Sequence, residues 1–173
     1  MNKEIRYGLK ILVIALVVLT HDSNAQKSDV NPNGYNIFYH DNGNKSSEGN
    51  LKKGKPEGYW KNYFETGVLK SEGNRLNHLL DSTWKFYNEE GVLQEEINYK
   101  AGKRNGVTNK YNLEGFMISS VPYVDDQKSG IGFTYYSNGG IHTQTPYANN
   151  TEDGIEYEFS PTGEIIGLKT FKN

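Results

Sequence analysis

Cysteine is absent from this chain of 173 residues, and proline occurs only five times. Without cysteine the chain can form neither a disulfide nor a thiolate metal site, and it offers no thiol for a lipid anchor. An excess of basic residues is also missing, since 19 Lys and Arg face 21 Asp and Glu. This charge balance disfavours nucleic acid and anionic lipid as partners, because both require a basic surface.

Apolar residues are scarce as well, at 35% of the chain with a mean hydropathy of −0.77. Such a composition predicts a thin hydrophobic core. The chain is rich instead in residues that suit strands and tight turns, with 13 Tyr and 19 Gly. We therefore predict an all-β fold.

The first 25 residues differ from the rest. Lys3, Arg6 and Lys10 give a basic start, an apolar run follows at residues 11–19, and small residues precede a cleavage position at Ala25. This pattern predicts a signal peptide at residues 1–25 and a periplasmic or extracellular mature protein that begins at Gln26. The alternative is a retained membrane anchor, but a run this short covers only about half of a ~30 Å hydrocarbon core. Membrane contact is expected only through an uncleaved signal.

A repeat of 24 residues runs without insertion or deletion from Gly34 to the last residue. Its tenth position is glycine and its sixth is Tyr or Phe in all six copies. A short segment at residues 26–33 precedes the repeats. The predicted repeats are 34–57, 58–81, 82–105, 106–129, 130–153 and 154–173.

Each repeat has the pattern of a β-hairpin. Positions 2 to 7 are rich in aromatic and β-branched residues, positions 8 to 10 form a turn, and a second strand carries apolar residues at positions 12, 16 and 18, which we expect on one face. The glycine at position 10 suits a hairpin loop that needs a positive φ. Pro122 and Pro146, both at position 17, predict an interruption of the hydrogen-bond ladder. Six hairpins predict an elongated antiparallel meander of about twelve strands in a single sheet.

The two faces of this sheet differ along its length. We expect positions 2, 4 and 6 to form the core, as an aromatic ladder that includes Tyr35, Ile37 and Tyr39. The opposite face is aromatic in the first three repeats and polar in the last three. This face is either covered within the monomer or in a homodimer, or it is a partner surface. The candidate partner residues are Phe38, Trp60, Phe64, Trp84 and Phe86.

The segment from Gly58 to Leu69 reads Gly-x-Trp-x-x-Tyr-Phe-x-x-Gly-x-Leu, and the joints at 54–58 and 102–106 read Gly-Lys-x-x-Gly. These residues resemble MORN-type repeats, and more closely the bacterial variant in the YwqK family of antitoxins. The resemblance implies an elongated hairpin array that serves as a protein-binding or scaffolding module, with an antitoxin-like or immunity-like role. It implies no catalytic residues. Two departures are the predicted export signal and the replacement of the joint glycine by His78, Asp126 and Asn150.

Residues that would perform chemistry are dispersed. His40, His78 and His142 occupy different repeat positions, so we expect no metal site. Neighbouring carboxylates such as Glu95 and Glu96 point to opposite sides of a strand and make no catalytic pair. We therefore predict a protein without enzymatic activity or cofactor, which binds another protein. Binding of carbohydrate or cell wall through aromatic repeat faces is the alternative, and no nucleic-acid partner is expected.

Overall fold

The computed structural model describes residues 29–172, and every regular element in that part of the chain is a β-strand. The predicted signal peptide, residues 1–25, lies outside the described residues. The strands are β1 (Tyr35–Tyr39), β2 (Lys45–Lys52), β3 (Lys55–Tyr63), β4 (Leu69–Leu76), β5 (Leu79–Tyr87), β6 (Leu93–Lys100), β7 (Lys103–Tyr111), β8 (Met117–Val124), β9 (Gln127–Lys128), β10 (Gly130–Tyr135), β11 (Ile141–Ala148), β12 (Thr151–Glu152), β13 (Gly154–Phe159) and β14 (Ile165–Phe171).

The sheet is a single antiparallel meander. Twelve strands lie side by side in chain order from β1 to β14, while the two-residue strands β9 and β12 pair only at the margins of β8 and β11. Each strand therefore contacts its sequence neighbours, as expected for a repeat array. The predicted all-β meander of six hairpins is confirmed.

The hairpin loop has the same geometry in every repeat. In the first repeat the His40 N–H donates to the Asn44 carbonyl at 2.8 Å, and the Gly43 N–H donates to the His40 carbonyl at 2.9 Å. The glycine at position 10 has a φ between 81° and 92° in all six copies. This left-handed backbone excludes most side chains and explains the invariant glycine.

The joints between repeats are two-residue turns with positive φ at both residues, as type I′ turns require. Lys53 and Gly54 have φ values of 52° and 74°, and Asn77 and His78 have 52° and 63°. Asp and Asn tolerate this backbone better than most residues. Joints that lack the glycine of the resembled family therefore keep the same turn.

Pro122 and Pro146 explain why the sheet contains fourteen strands and not twelve. Each proline lacks the N–H that a neighbouring strand would accept. Ser129, the residue between β9 and β10, donates its N–H to the Pro122 carbonyl at 3.0 Å. Asp153, the residue between β12 and β13, donates its N–H to the Pro146 carbonyl at 3.0 Å. The predicted interruption of the ladder is confirmed at both sites.

The expected core is wrong, because the buried side chains lie on the opposite face. Trp60 and Trp84 are 5% and 2% exposed, whereas Tyr35 and Tyr39 are each 56% exposed. Leu51 completes the buried cluster around the two indoles. We call this side of the sheet the indole face, defined by Trp60 and Trp84, and the other side the glutamate face, defined by Glu48, Glu72 and Glu96.

A β-bulge in each hairpin changes which residues of the second strand share a face. In the first repeat Phe38 pairs with Ser47 but Tyr39 pairs with Lys45, so Ser46 is the extra residue. Lys45, at position 12, reaches Glu48 on the glutamate face at 3.0 Å. Positions 16 and 18 lie on the indole face. The expectation that positions 12, 16 and 18 share one face is therefore wrong.

Candidate functional site

The five residues predicted as a partner surface lie on the indole face, where the sheet itself covers two of them. The Trp60 indole N–H donates to the Asn50 carbonyl at 3.0 Å, and that of Trp84 donates to the Asn74 carbonyl at 2.7 Å. With their polar atoms satisfied and their rings buried, Trp60 and Trp84 are core residues. Of the alternatives stated for this face, coverage within the monomer holds for Trp60 and Trp84.

Three phenylalanines surround this core. Phe38 stacks on Trp60 with ring centroids 6.3 Å apart, and Phe86 lies at the same centroid distance from Trp84. Phe64 is half-buried and has the Lys70 ammonium 5.4 Å from its ring centroid. A partner contact at Phe38, Phe64 or Phe86 stays a prediction, since these three side chains are only partly covered.

The glutamate face of the first three repeats carries a row of alternating charge. Positions 4 and 15 lie opposite each other on neighbouring strands, which aligns Glu48, Lys61, Glu72, Lys85 and Glu96 across the sheet. The Lys61 to Glu72 distance is 4.0 Å and the Lys85 to Glu96 distance is 3.6 Å. Opposite charges on adjacent strands stabilise the pairing, so this row joins successive repeats.

Tyrosine hydroxyls at position 6 bind the same carboxylates. Tyr87 donates to Glu72 at 2.8 Å, Tyr111 donates to Glu96 at 2.7 Å, and Tyr63 donates to Glu48. The Tyr63 hydrogen bond, followed by that from Lys45, lowers the pKa of Glu48 to about 2. Burial, followed by the hydrogen bond to Glu96, raises the pKa of Tyr111 to about 12. These groups keep fixed protonation states near neutral pH, which suits a structural role.

The chemistry of the two faces inverts in the fifth and sixth repeats. The aligned row at positions 4 and 15 continues there as Phe133, Gln144, Tyr157 and Leu168, in place of lysine and glutamate. Ile131 and Ile155 flank this row and are 47% and 44% exposed, while Leu168 is 66% exposed. We call this surface the C-terminal apolar patch, formed by Ile131, Phe133, Ile155, Tyr157 and Leu168.

The indole face of the same two repeats is polar. Thr134 and Thr143 share a hydrogen bond of 2.7 Å, and Thr145 donates to Glu156 at 2.6 Å. His142 lies 3.4 Å from Glu158. On this face these polar side chains lie beside the Tyr147 and Phe171 rings, and Thr145 is only 5% exposed. The exposed apolar side chains of the same strands lie on the other face.

The patch residues at positions 2 and 4 were predicted to belong to the core, so their exposure was not expected from the sequence. A signal was present, because position 15 is glutamate in the first three repeats, serine in the fourth, and Gln144 and Leu168 in the last two. It could be read only with the strand register, which shows that position 15 shares a face with positions 2 and 4.

Side chains that could bind a metal are separated in the structure. His40 Nε2 donates a hydrogen bond to the Tyr63 carbonyl, 3.0 Å away, and the His142 ring centroid lies 4.5 Å from that of Tyr136. Residues 29–172 contain no group of three or more His, Asp or Glu side chains that could hold a metal ion. The same residues include no helix long and apolar enough to cross a membrane.

Three repeats match the family model described as MORN repeat variant, at residues 56–77, 80–101 and 152–173. The second match begins 24 residues after the first, and the third begins three full periods after the second. The matches therefore share the phase of the 24-residue repeat, and the predicted MORN-like repeat is confirmed in these copies. No curated protein matches the chain. The closer resemblance to the antitoxin family stays a prediction.

Proposed function

We propose that the chain is an exported, non-enzymatic repeat protein that binds another protein through its C-terminal apolar patch. The exposure of Ile131, Ile155 and Leu168 on one face of the sheet carries this proposal. Contiguous apolar surface of this kind typically marks an interaction site, since it is costly to leave in water. The similarity of three repeats to the MORN repeat variant also supports a binding module.

The contrast between repeats supports the same surface. In repeats one to three the equivalent positions hold the row of Glu48, Lys61 and Glu72, in which the Lys61 ammonium lies 4.0 Å from the Glu72 carboxylate. Charged residues disfavour the centre of protein interfaces, whereas aromatic and aliphatic residues are favoured there. The last two repeats thus offer a binding surface on a scaffold that the first four repeats stabilise.

Capture of partners from the native cell envelope with residues 26–173 tests this proposal. A triple variant, Ile131→Thr, Ile155→Thr and Tyr157→Lys, gives the patch the residue types of Thr83 and Lys85 at the same repeat positions. We expect one stoichiometric protein to be captured by the native chain and lost with the variant.

The control is Leu113→Glu, which removes an apolar side chain that is 68% exposed in the turn of the fourth repeat. Position 8 already holds glutamate in the second and third repeats, so this change suits the turn. Capture that survives the patch variant and fails with Leu113→Glu would place the binding site elsewhere.

Glycan binding is the second candidate, since Tyr35, Tyr39 and Tyr59 expose aromatic rings on the glutamate face, at 56%, 56% and 54%. Such rings stack on sugars, although both tryptophans are buried. Retention on insoluble cell-wall material that is lost with Tyr35→Ser and Tyr59→Ser, but unaffected by the patch variant, would favour this function. An antitoxin-like role would instead require that the captured protein be a toxin.

A further inference from the structure

Strand β14 forms the last edge of the sheet. It pairs with β13 on one side, and no strand within residues 29–172 pairs with its other side. Ile166 and Leu168 on this strand are 60% and 66% exposed. An edge of this kind is a template for a further antiparallel strand.

Two opposite charges lie close together at this edge, on the indole face. Gly167 pairs with Glu158 of β13, and Lys169 pairs with Glu156. A Cβ atom at Gly167 would lie 2.9 Å from the Glu158 carboxylate oxygen Oε2, so this carboxylate lies over Gly167, while its Oε1 is 3.4 Å from His142 Nε2. Lys169 is exposed beside it. The Lys169 ammonium group therefore lies on β14 two residues beyond Gly167, the residue that the Glu158 carboxylate covers.

These charges distinguish between the ways in which β14 can pair with a second copy of itself about an axis at residues 167, 168 or 169. A two-fold axis perpendicular to the sheet keeps the same faces together and sets residues of one face opposite each other. An axis at Lys169 would bring two ammonium groups together, and an axis at Gly167 would bring two Glu158 carboxylates together. An axis at Leu168 sets each Lys169 opposite the Gly167 of the other copy, beneath the Glu158 carboxylate of that copy.

We propose that the protein forms a homodimer in which β14 pairs antiparallel with β14 of a second copy, with Leu168 on the two-fold axis. Two Lys169 to Glu158 ion pairs close the interface on the indole face. On the glutamate face, the row of Tyr157 and Leu168 continues into the same row of the other copy. The two C-terminal apolar patches become one surface, and the dimer forms whether or not that surface binds a further partner.

Cysteine substitution tests the register, because the native chain has no cysteine. Residues directly opposite in an antiparallel pair have Cβ atoms ~5 Å apart, close to the spacing of a disulfide. We expect Leu168→Cys to form a disulfide-linked dimer under mild oxidation. Ile166→Cys is the matched control, since it is similarly exposed but lies about 13 Å from its own copy at ~3.3 Å per residue. Equal cross-linking of both variants, or none at Leu168→Cys, would overturn the proposed register.

Charge reversal tests the ion pairs by analytical ultracentrifugation of residues 26–173, with circular dichroism to confirm folding. We expect a dimer for the native chain and an about tenfold or larger increase in dissociation constant for Lys169→Glu alone and for Glu158→Lys alone. An equimolar mixture of the two variants should form dimers again, because every contact then joins opposite charges.

Two controls complete the experiment. Lys52→Glu, a charge reversal at an exposed residue far from β14 in the meander, should leave the dimer intact. A double variant, Ile131→Thr with Ile155→Thr, should dimerise as well, since neither residue lies on β14. The proposed pairing would be overturned by a monomeric native chain or by a mixture that stays monomeric. Loss of the dimer when the patch isoleucines are replaced would overturn it as well.

Discussion

The indole ring of Trp84 lies directly over Gly73 on the neighbouring strand, so that a Cβ atom at Gly73 would be only 2.5 Å from the ring. Trp60 has the same relationship with Gly49, at 2.6 Å. Both glycines occupy position 16, where the third, fourth and fifth repeats have Ile97, Val121 and Thr145. A single-layer sheet can bury so large a side chain because the neighbouring strand has no side chain at that point.

Gly73→Ala should destabilise the protein, since the added methyl group must displace a buried indole. Overpacking of this kind costs about 1–3 kcal/mol in the free energy of unfolding. Denaturant unfolding followed by tryptophan fluorescence measures the loss. Ser46→Ala, at a half-buried residue of β2, is the control and should change stability by less than about 0.5 kcal/mol.

The double variant Gly73→Ala with Trp84→Leu separates this contact from a general weakening of β4. Trp84→Leu alone should cost about 3 kcal/mol through the cavity it leaves. If the two side chains compete for one space, the double variant loses less than the sum of the single losses. Strict additivity would contradict the proposed clash.

Ser82 is the only non-glycine residue at the first position of a repeat, and its φ is 58°. Gly58, Gly106, Gly130 and Gly154 at the same position also have positive φ. A side chain in this region costs about 1 kcal/mol, so Ser82→Gly should raise the free energy of unfolding by ~0.5–1 kcal/mol and raise Tm.

Gly106→Ser is the reverse substitution. It should destabilise by more than Ser82→Gly stabilises, because its Cβ atom would also meet the Asn98 Cβ at 2.9 Å. A decrease in Tm for Ser82→Gly would show that the Ser82 hydroxyl, which donates to Asp81 at 2.9 Å, matters more than backbone strain.

Period, hairpins and turns could be predicted from the sequence because each has a local cause. The glycine at position 10 is required by one loop conformation, and Pro122 alone removes the N–H that a longer strand would need. Such features depend on residues within a few positions of each other. The fold class follows from them without knowledge of the tertiary contacts.

The buried face could not be predicted, because strand alternation defines two faces without saying which is buried. That choice depends on cross-strand partners: Trp60 faces two glycines, and Lys61 faces Glu48 and Glu72. The bulge at Ser46 also reverses the alternation between the two strands of a hairpin. The prediction that position 12 shares a face with positions 16 and 18 was wrong because it left out this bulge.

Export has its own test at Ala25. If residues 1–25 are a signal peptide, N-terminal sequencing of the protein from its native cell should begin at Gln26. Ala25→Lys should block this cleavage, since a signal peptidase accepts small residues at that position. An intact N-terminus in the membrane fraction of the native chain would instead indicate a retained anchor.

The hydrogen bond from Tyr63 to Glu48 should make part of the stability depend on pH. The folded pKa of Glu48, about 2, lies below the 4.5 of a free glutamate, so the bond stabilises the fold above about pH 4.5. That stabilisation is lost as pH falls from 4.5 towards 2. Tyr63→Phe should therefore lower the free energy of unfolding by ~1 kcal/mol at pH 6 and by much less at pH 2.

Thermal unfolding of native chain and variant between pH 2 and 7 measures this difference. Tyr39→Phe is the matched control, because Tyr39 holds the same repeat position but is 56% exposed, and its loss should be small at every pH. A Tyr63→Phe effect that persists undiminished at pH 2 would mean that the ring's packing, and not its hydroxyl on the ionised carboxylate, stabilises the joint between the first two repeats.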